Sequence, residues 1–111
     1  MKVRPLNILR LALKLLGRKR NWIQYLEAQN SNGMYVNVND PSACQFCLSG
    51  AIIAAGYRLG ADSDEIWQAR RRVLRTLGNL NLPPIVAYND TEGRRWEEVV
   101  SVLKRAIRVR S

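Results

Sequence analysis

Residues that start and stop helices recur along this chain at helix-length intervals, and this punctuation limits the fold more than any other feature. Pro5 suits the first helical position of a segment that Gly17 closes. Asp40-Pro41 opens a second segment that runs to about residue 57, with Gly56 or Gly60 at its end. Asp62 or Ser63, followed by Asp64 and Glu65, opens a third that stops at Gly78. Asp90 or Thr91 opens the fourth, which starts near residue 92 or 94 and runs to 108.

Each segment carries an apolar face. In residues 5–16 the polar stripe is narrow, just Asn7, Arg10 and Lys14, and leucines and isoleucine cover the rest. A face that wide is buried in a core or against a partner, which leaves a homodimer open. In the second segment Gln45, Ser49 and Gly56 are the only polar stripe, and Gly50, Ala51, Ala54 and Ala55 allow close approach, so this helix is expected at the centre. The third places Ile66, Trp67, Ala69, Val73, Leu74 and Leu77 on its inner side. The fourth has the clearest period, with Trp96, Val99, Val100, Leu103 and Ile107 on one side. Between the first two helices, residues 22–27 and 34–38 have strand character around the turn signal Asn30-Ser31-Asn32-Gly33, and residues 85–88 are a short candidate strand. The expected fold class is α+β: about four helices with a small antiparallel β-hairpin or three-stranded sheet, in a single domain over residues 1–111.

Charge bounds the function. The chain has 18 Lys and Arg, 9 Asp and Glu, and no histidine, for a net charge of +9. Without histidine it lacks the commonest general base and a common metal ligand. The excess charge favours acidic partners. It falls into three clusters: the first twenty residues, then Arg70, Arg71, Arg72 and Arg75, then Lys104, Arg105, Arg108 and Arg110. Each cluster lies where a helix is expected to end, so it serves either the helix macrodipole and solubility or a binding surface. Arg71, Arg72 and Arg75 project from the polar face of the third helix. With Lys104, Arg105 and Arg108 they could contact phosphates if the two helices lie side by side. Arg70 instead points into the apolar face. Its stem lies along that surface with the head in water, or its guanidinium pairs with Asp90, with Glu92 or with a bound anion. No secretory signal or bilayer-length apolar run is recognised, and two cysteines are too few for a disulfide scaffold, so a cytoplasmic protein with no membrane association is expected.

Cys44-Gln45-Phe46-Cys47 has the Cys-x-x-Cys spacing. A helix that starts at Asp40-Pro41 places both thiols inside it, away from the start that a redox pair needs, and they read as small buried hydrophobes. Zinc would need further ligands that the chain does not supply. Asn89-Asp90 reads as a turn and a helix cap.

Asn21-Trp22-Ile23-Gln24, Asp40-Pro41, Cys47-Leu48-Ser49-Gly50-Ala51 and Tyr88-Asn89-Asp90, followed by Gly93, carry a resemblance. They resemble an uncharacterised family of small bacterial and phage proteins in which Trp-x-Gln, Cys-x-x-Gly-Ala and aromatic-Asn-Asp motifs recur in this order. The matching positions are Trp22, Gln24, Cys47, Gly50, Ala51, Asn89 and Asp90. The resemblance implies a bacterial or phage origin and supplies no activity. Some members of that family carry a histidine near the start of the last helix, where this chain has Arg95 and Trp96, so the resemblance implies no Cys-His chemistry here.

The leading expectation is a non-catalytic interaction module, an accessory protein of a phage or mobile element. It would bind an acidic protein surface through its basic face, in counter-defence or host takeover. The alternatives are a sequence-tolerant nucleic-acid-binding protein and a cysteine-dependent enzyme. No catalytic residue, metal or cofactor is expected.

Overall fold

The computed structural model describes residues 2–109. In chain order the elements are α1 (Pro5–Leu15), a 3-10 turn (Lys19–Asn21), β1 (Ala28–Gln29), β2 (Gln45–Phe46), α2 (Leu48–Arg58), α3 (Ser63–Asn79), α4 (Ile85–Asp90) and α5 (Trp96–Arg108). This is an α+β fold with five helices among the described residues, α4 being a short one, and a two-stranded antiparallel sheet.

The first and third helices form where their punctuation places them. Pro5 starts α1, and Ile8, Leu9, Ala12 and Leu16 are fully buried on its inner side. Leu11, Leu13 and Leu15 pack half-buried against the same core. Much of the wide apolar face is therefore consumed inside the molecule. Asp62 caps α3 in a reciprocal box: its Oδ1 accepts from Glu65 N (2.8 Å) and Glu65 Oε1 accepts from Asp62 N (2.9 Å). The other oxygen of Glu65 accepts from Val3 N at 2.6 Å, which ties the start of the chain to α3.

Four expectations are corrected. Asp40-Pro41 does not begin α2. The Asp40 carboxylate accepts from the backbone N–H (2.8 Å) and the hydroxyl of Ser42, so it closes a local turn instead. The helix begins at Leu48 with Cys47 as its N-cap. The predicted hairpin between residues 22–27 and 34–38 shifts register. Ala28 pairs with Phe46 and Gln29 with Gln45, while Tyr35 makes only a single bridge to Gln29, and Trp22 bridges Phe46 in parallel. Residues 85–88 are helical, not a strand. Pro84 presets the first turn and its carbonyl accepts from Tyr88 N at 2.7 Å. The last helix starts at Trp96, later than Asp90 or Thr91 would set it, because Gly93 turns the chain at φ +80° between α4 and α5.

The four longer helices surround one apolar core. α1 packs against α2, α3 and α5; α3 packs against α2 and α5; and α4 lies over α2 and α3. The molecule measures 39 × 38 × 19 Å, so its short dimension is about two helices thick. Gly50 is the closest approach. A Cβ there would lie 2.0 Å from the carbonyl oxygen of Glu27, so only glycine lets α2 press against the β1 segment. Trp96 Nε1 donates to the carbonyl of Leu16 at 2.7 Å and joins the end of α1 to the start of α5.

Candidate functional site

The motif positions from the sequence converge on one buried knot. Asn89, fully buried at the end of α4, accepts on Oδ1 from Trp22 Nε1 (2.6 Å) and from the backbone N–H of Leu48 (3.0 Å). Its Nδ2 donates to the carbonyl of Ile23 (3.1 Å) and to Asp90 Oδ1 (2.9 Å). Gln24 Nε2 donates to the carbonyls of Asn89 (2.9 Å) and Thr91 (3.1 Å). Asp90 also accepts from the backbone N–H of Tyr25 (2.9 Å), which holds that residue at φ +74°. The knot thus joins the segment after α1, the first turn of α2 and the end of α4. Cys47, Gly50 and Ala51 lie on its α2 side. The Sγ of Cys47 accepts from Gly50 N at 3.2 Å, and Ala51 is fully buried.

This knot satisfies itself. Among the described residues no buried side-chain nitrogen or oxygen lacks a hydrogen-bond partner. Its buried polar atoms are committed to one another. Burial pushes the Cys47 thiol up from its ordinary value, and the nearby Glu27 and Asp90 carboxylates push the same way against the Gly50 and Ser49 N–H groups. The thiol stays protonated at neutral pH and is a poor nucleophile. No group of three or more His, Cys, Asp or Glu side chains suited to a metal occurs among the described residues.

The arginines divide by what they touch. Arg70 does not pair with Asp90. It is half-buried and donates to the hydroxyl of Ser49 on α2, while Asp90 is engaged by Tyr25 and Asn89. Arg72 leaves the expected basic face. It reaches across to α5 and donates to the carbonyls of Ala106 (3.0 Å from Nη2) and Val109, the orphan acceptors at that helix's end. Arg71 and Arg75 do project outward, and Arg71 lies over the indole of Trp67 at 5.6 Å from the ring centroid. Among the described residues, ion pairing occupies neither of them. Among the described residues the salt bridges are those of Arg94 (3.7 Å) and Arg95 (3.8 Å) to Glu98.

α3 and α5 do lie side by side, yet their cations line different recesses. Arg71, Arg72 and Arg75 share a cleft of about 410 Å³ with Trp67, Gln68, Pro5 and a single acid, Asp64. Lys104 and Arg108 border a shallow groove of about 320 Å³ on the outer side of α5 with Trp96 and Val100. Arg105 is exposed and lines neither. Trp67 was expected on the inner face of α3 but is 55% exposed. Its spacing four residues before Arg71 is the signal that places the two side by side on the surface.

The family model described as a family of unknown function (DUF6197) matches residues 1–109. Neither the curated proteins nor the solved structures contain a significant match.

Proposed function

We propose that this chain, which belongs to the DUF6197 family of unknown function, is a non-catalytic interaction module that binds an acidic macromolecular partner through the arginine cleft of α3. The observation that carries the reading is the Trp67–Arg71–Arg75 surface. There an exposed aromatic ring and two outward arginines share a cleft with one acid, and neither arginine is in an ion pair among the described residues. Tryptophan and arginine are the residue types that dominate binding energy at protein interfaces. A chain with a net charge of +9 also attracts such a partner from a distance. On this reading the protein is an accessory factor of a phage or mobile element, it works in the cytoplasm, and its partner is a host or phage protein with an acidic face.

The second reading is sequence-tolerant nucleic-acid binding, favoured by the same exposed indole beside two cations. One titration separates the two. Fluorescence anisotropy is read on labelled polyglutamate, duplex DNA, single-stranded DNA and RNA, at low and at physiological salt, for the native protein and for Arg71→Glu/Arg75→Glu. The proposal expects polyglutamate to bind and the double variant to lose that binding by about tenfold or more. Tight binding of nucleic acid that survives physiological salt, with none to polyglutamate, establishes the second reading. An acidic probe that binds the native protein and the double variant equally removes this surface from both.

A further inference from the structure

Trp67 borders two recesses. On one side lies the arginine cleft. On the other, between α2 and α3, is a smaller groove of about 220 Å³ lined by Ile53, Tyr57, Ser63, Ile66, Trp67 and Arg70. Its character is different. The walls are an isoleucine from each helix and two aromatic rings, of which Tyr57 is 51% exposed and Trp67 55% exposed. The polar groups at its border are the Ser63 hydroxyl, the Tyr57 hydroxyl and the guanidinium of Arg70, which Ser49 already holds. An apolar slot therefore sits one residue away from a cluster of outward cations, with Trp67 as the ridge between them.

We infer that the partner of this surface is an acidic polypeptide segment that carries an apolar anchor residue, leucine or phenylalanine in character, seated between Tyr57 and Trp67. The inference rests on the proposed acidic-partner reading and names the chemistry of that partner. Charge complementarity supplies the argument. Arg71 and Arg75 are one helical turn apart on the exposed side of α3, so carboxylates that flank an anchor meet guanidinium groups when the anchor enters the slot. The slot itself offers an anchor apolar contact with Ile53, Ile66 and the two rings. A nucleobase fits it less well, because its polar edges would face Ile53 and Ile66 with only the border groups to meet them. One face of the Trp67 ring also carries the Arg71 guanidinium, which leaves the slot side as its apolar contact surface.

The test uses three labelled probes of matched length and charge with the full chain. They are an aspartate- and glutamate-rich peptide with two phenylalanines, the same peptide with serine in their place, and a single-stranded DNA oligonucleotide. The anchored peptide is expected to bind about tenfold or more tightly than its serine counterpart. Tyr57→Ala should erase that ratio and leave the weaker binding of the serine peptide intact. Arg71→Glu/Arg75→Glu should lose both peptides. Thermal melting confirms that each variant remains folded. Equal binding of the two peptides overturns the anchor and leaves the acidic-partner reading standing. A ratio unchanged by Tyr57→Ala overturns the location of the slot. Binding of the oligonucleotide above both peptides overturns the inference in favour of nucleic acid, and binding of none of the three overturns the proposed function with it.

Discussion

Replacing Asn89 by alanine measures how much of the fold one side chain holds. Asn89 is fully buried and makes four hydrogen bonds, two as acceptor and two as donor. Truncation leaves the N–H of Leu48, itself in the core, with no acceptor, which costs about 1–3 kcal/mol. The other three partners sit on half-buried residues where water can partly replace the lost contact, at about 0.5–1.5 kcal/mol each. The expected loss is about 2.5–7.5 kcal/mol, a large share of the roughly 5–15 kcal/mol that stabilises an ordinary domain. Urea unfolding followed by circular dichroism reads it directly. With a slope of about 1.5 kcal/mol per M, the midpoint falls by about 2–5 M. Asp90→Ala is the control. It removes an acceptor from the exposed backbone of Tyr25 and one of the two acceptors for Asn89 Nδ2, so its loss should stay below about 1.5 kcal/mol. A loss under about 1 kcal/mol in Asn89→Ala, or an equal loss in the control, refutes the reasoning that the knot is a cooperative unit centred on this residue.

The arginines of α3 should separate cleanly. Arg72→Ala is expected to lose about 1–3 kcal/mol of stability with little change in binding to polyglutamate, whereas Arg71→Ala and Arg75→Ala should stay within about 0.5 kcal/mol of the native protein and weaken binding. Denaturant titration and anisotropy on the same samples check both halves. Among the glycines, Gly50→Ala must displace the backbone of Glu27 and should destabilise by about 3 kcal/mol or more, while Gly78→Ala meets nothing within 4 Å on α3 and should add about 0.5–1 kcal/mol. Thiol titration of the native protein should find Cys44 reactive and Cys47 protected until denaturant is added, and two fast thiols would contradict the burial of Cys47. Because burial raises the folded pKa of Cys47, its contribution is fully present below the unfolded thiol value of about 8.5 and is lost as pH climbs through the folded value. The stability of the native protein should therefore fall on that side of neutrality more steeply than that of Cys47→Ala.

What the sequence disclosed depended on how local each signal was. The start of α3 was legible because Asp62 and Glu65 cap each other within three residues. The start of α2 was not. Asp40-Pro41 carries the local marks of a helix start but spends its carboxylate on Ser42, and the true cap is a thiol, which propensity does not mark. Residues 85–88 have strand-like composition, yet Pro84 and the burial of Tyr88 and Asn89 against α2 make them helical. Trp67 satisfied the apolar period of α3, but the helix buries a narrower stripe than that period allows, through Ile66, Ala69, Val73 and Leu77. The motif positions Trp22, Gln24, Cys47, Gly50, Asn89 and Asp90 lie far apart in the chain and meet only in the fold. Their convergence on Asn89 spans separations of 41 to 67 residues, beyond the reach of any local rule.

Those separations also set an order of events during synthesis. The socket formed by Trp22, Ile23 and Leu48 is complete in sequence long before the side chain that fills it has been made. Until residue 89 emerges, the indole N–H, the carbonyl of Ile23 and the first amide of α2 have only water to bond. The ladder of β1 with β2 and the bond from Cys47 N to the carbonyl of Glu27 can form from residues 23–50 alone, but the indole of Trp22 and the amide of Leu48 stay without their buried acceptor. The last quarter of the sequence therefore acts as a key for the first half: α4 brings the side chain that fills the socket, and α5 completes the core behind it.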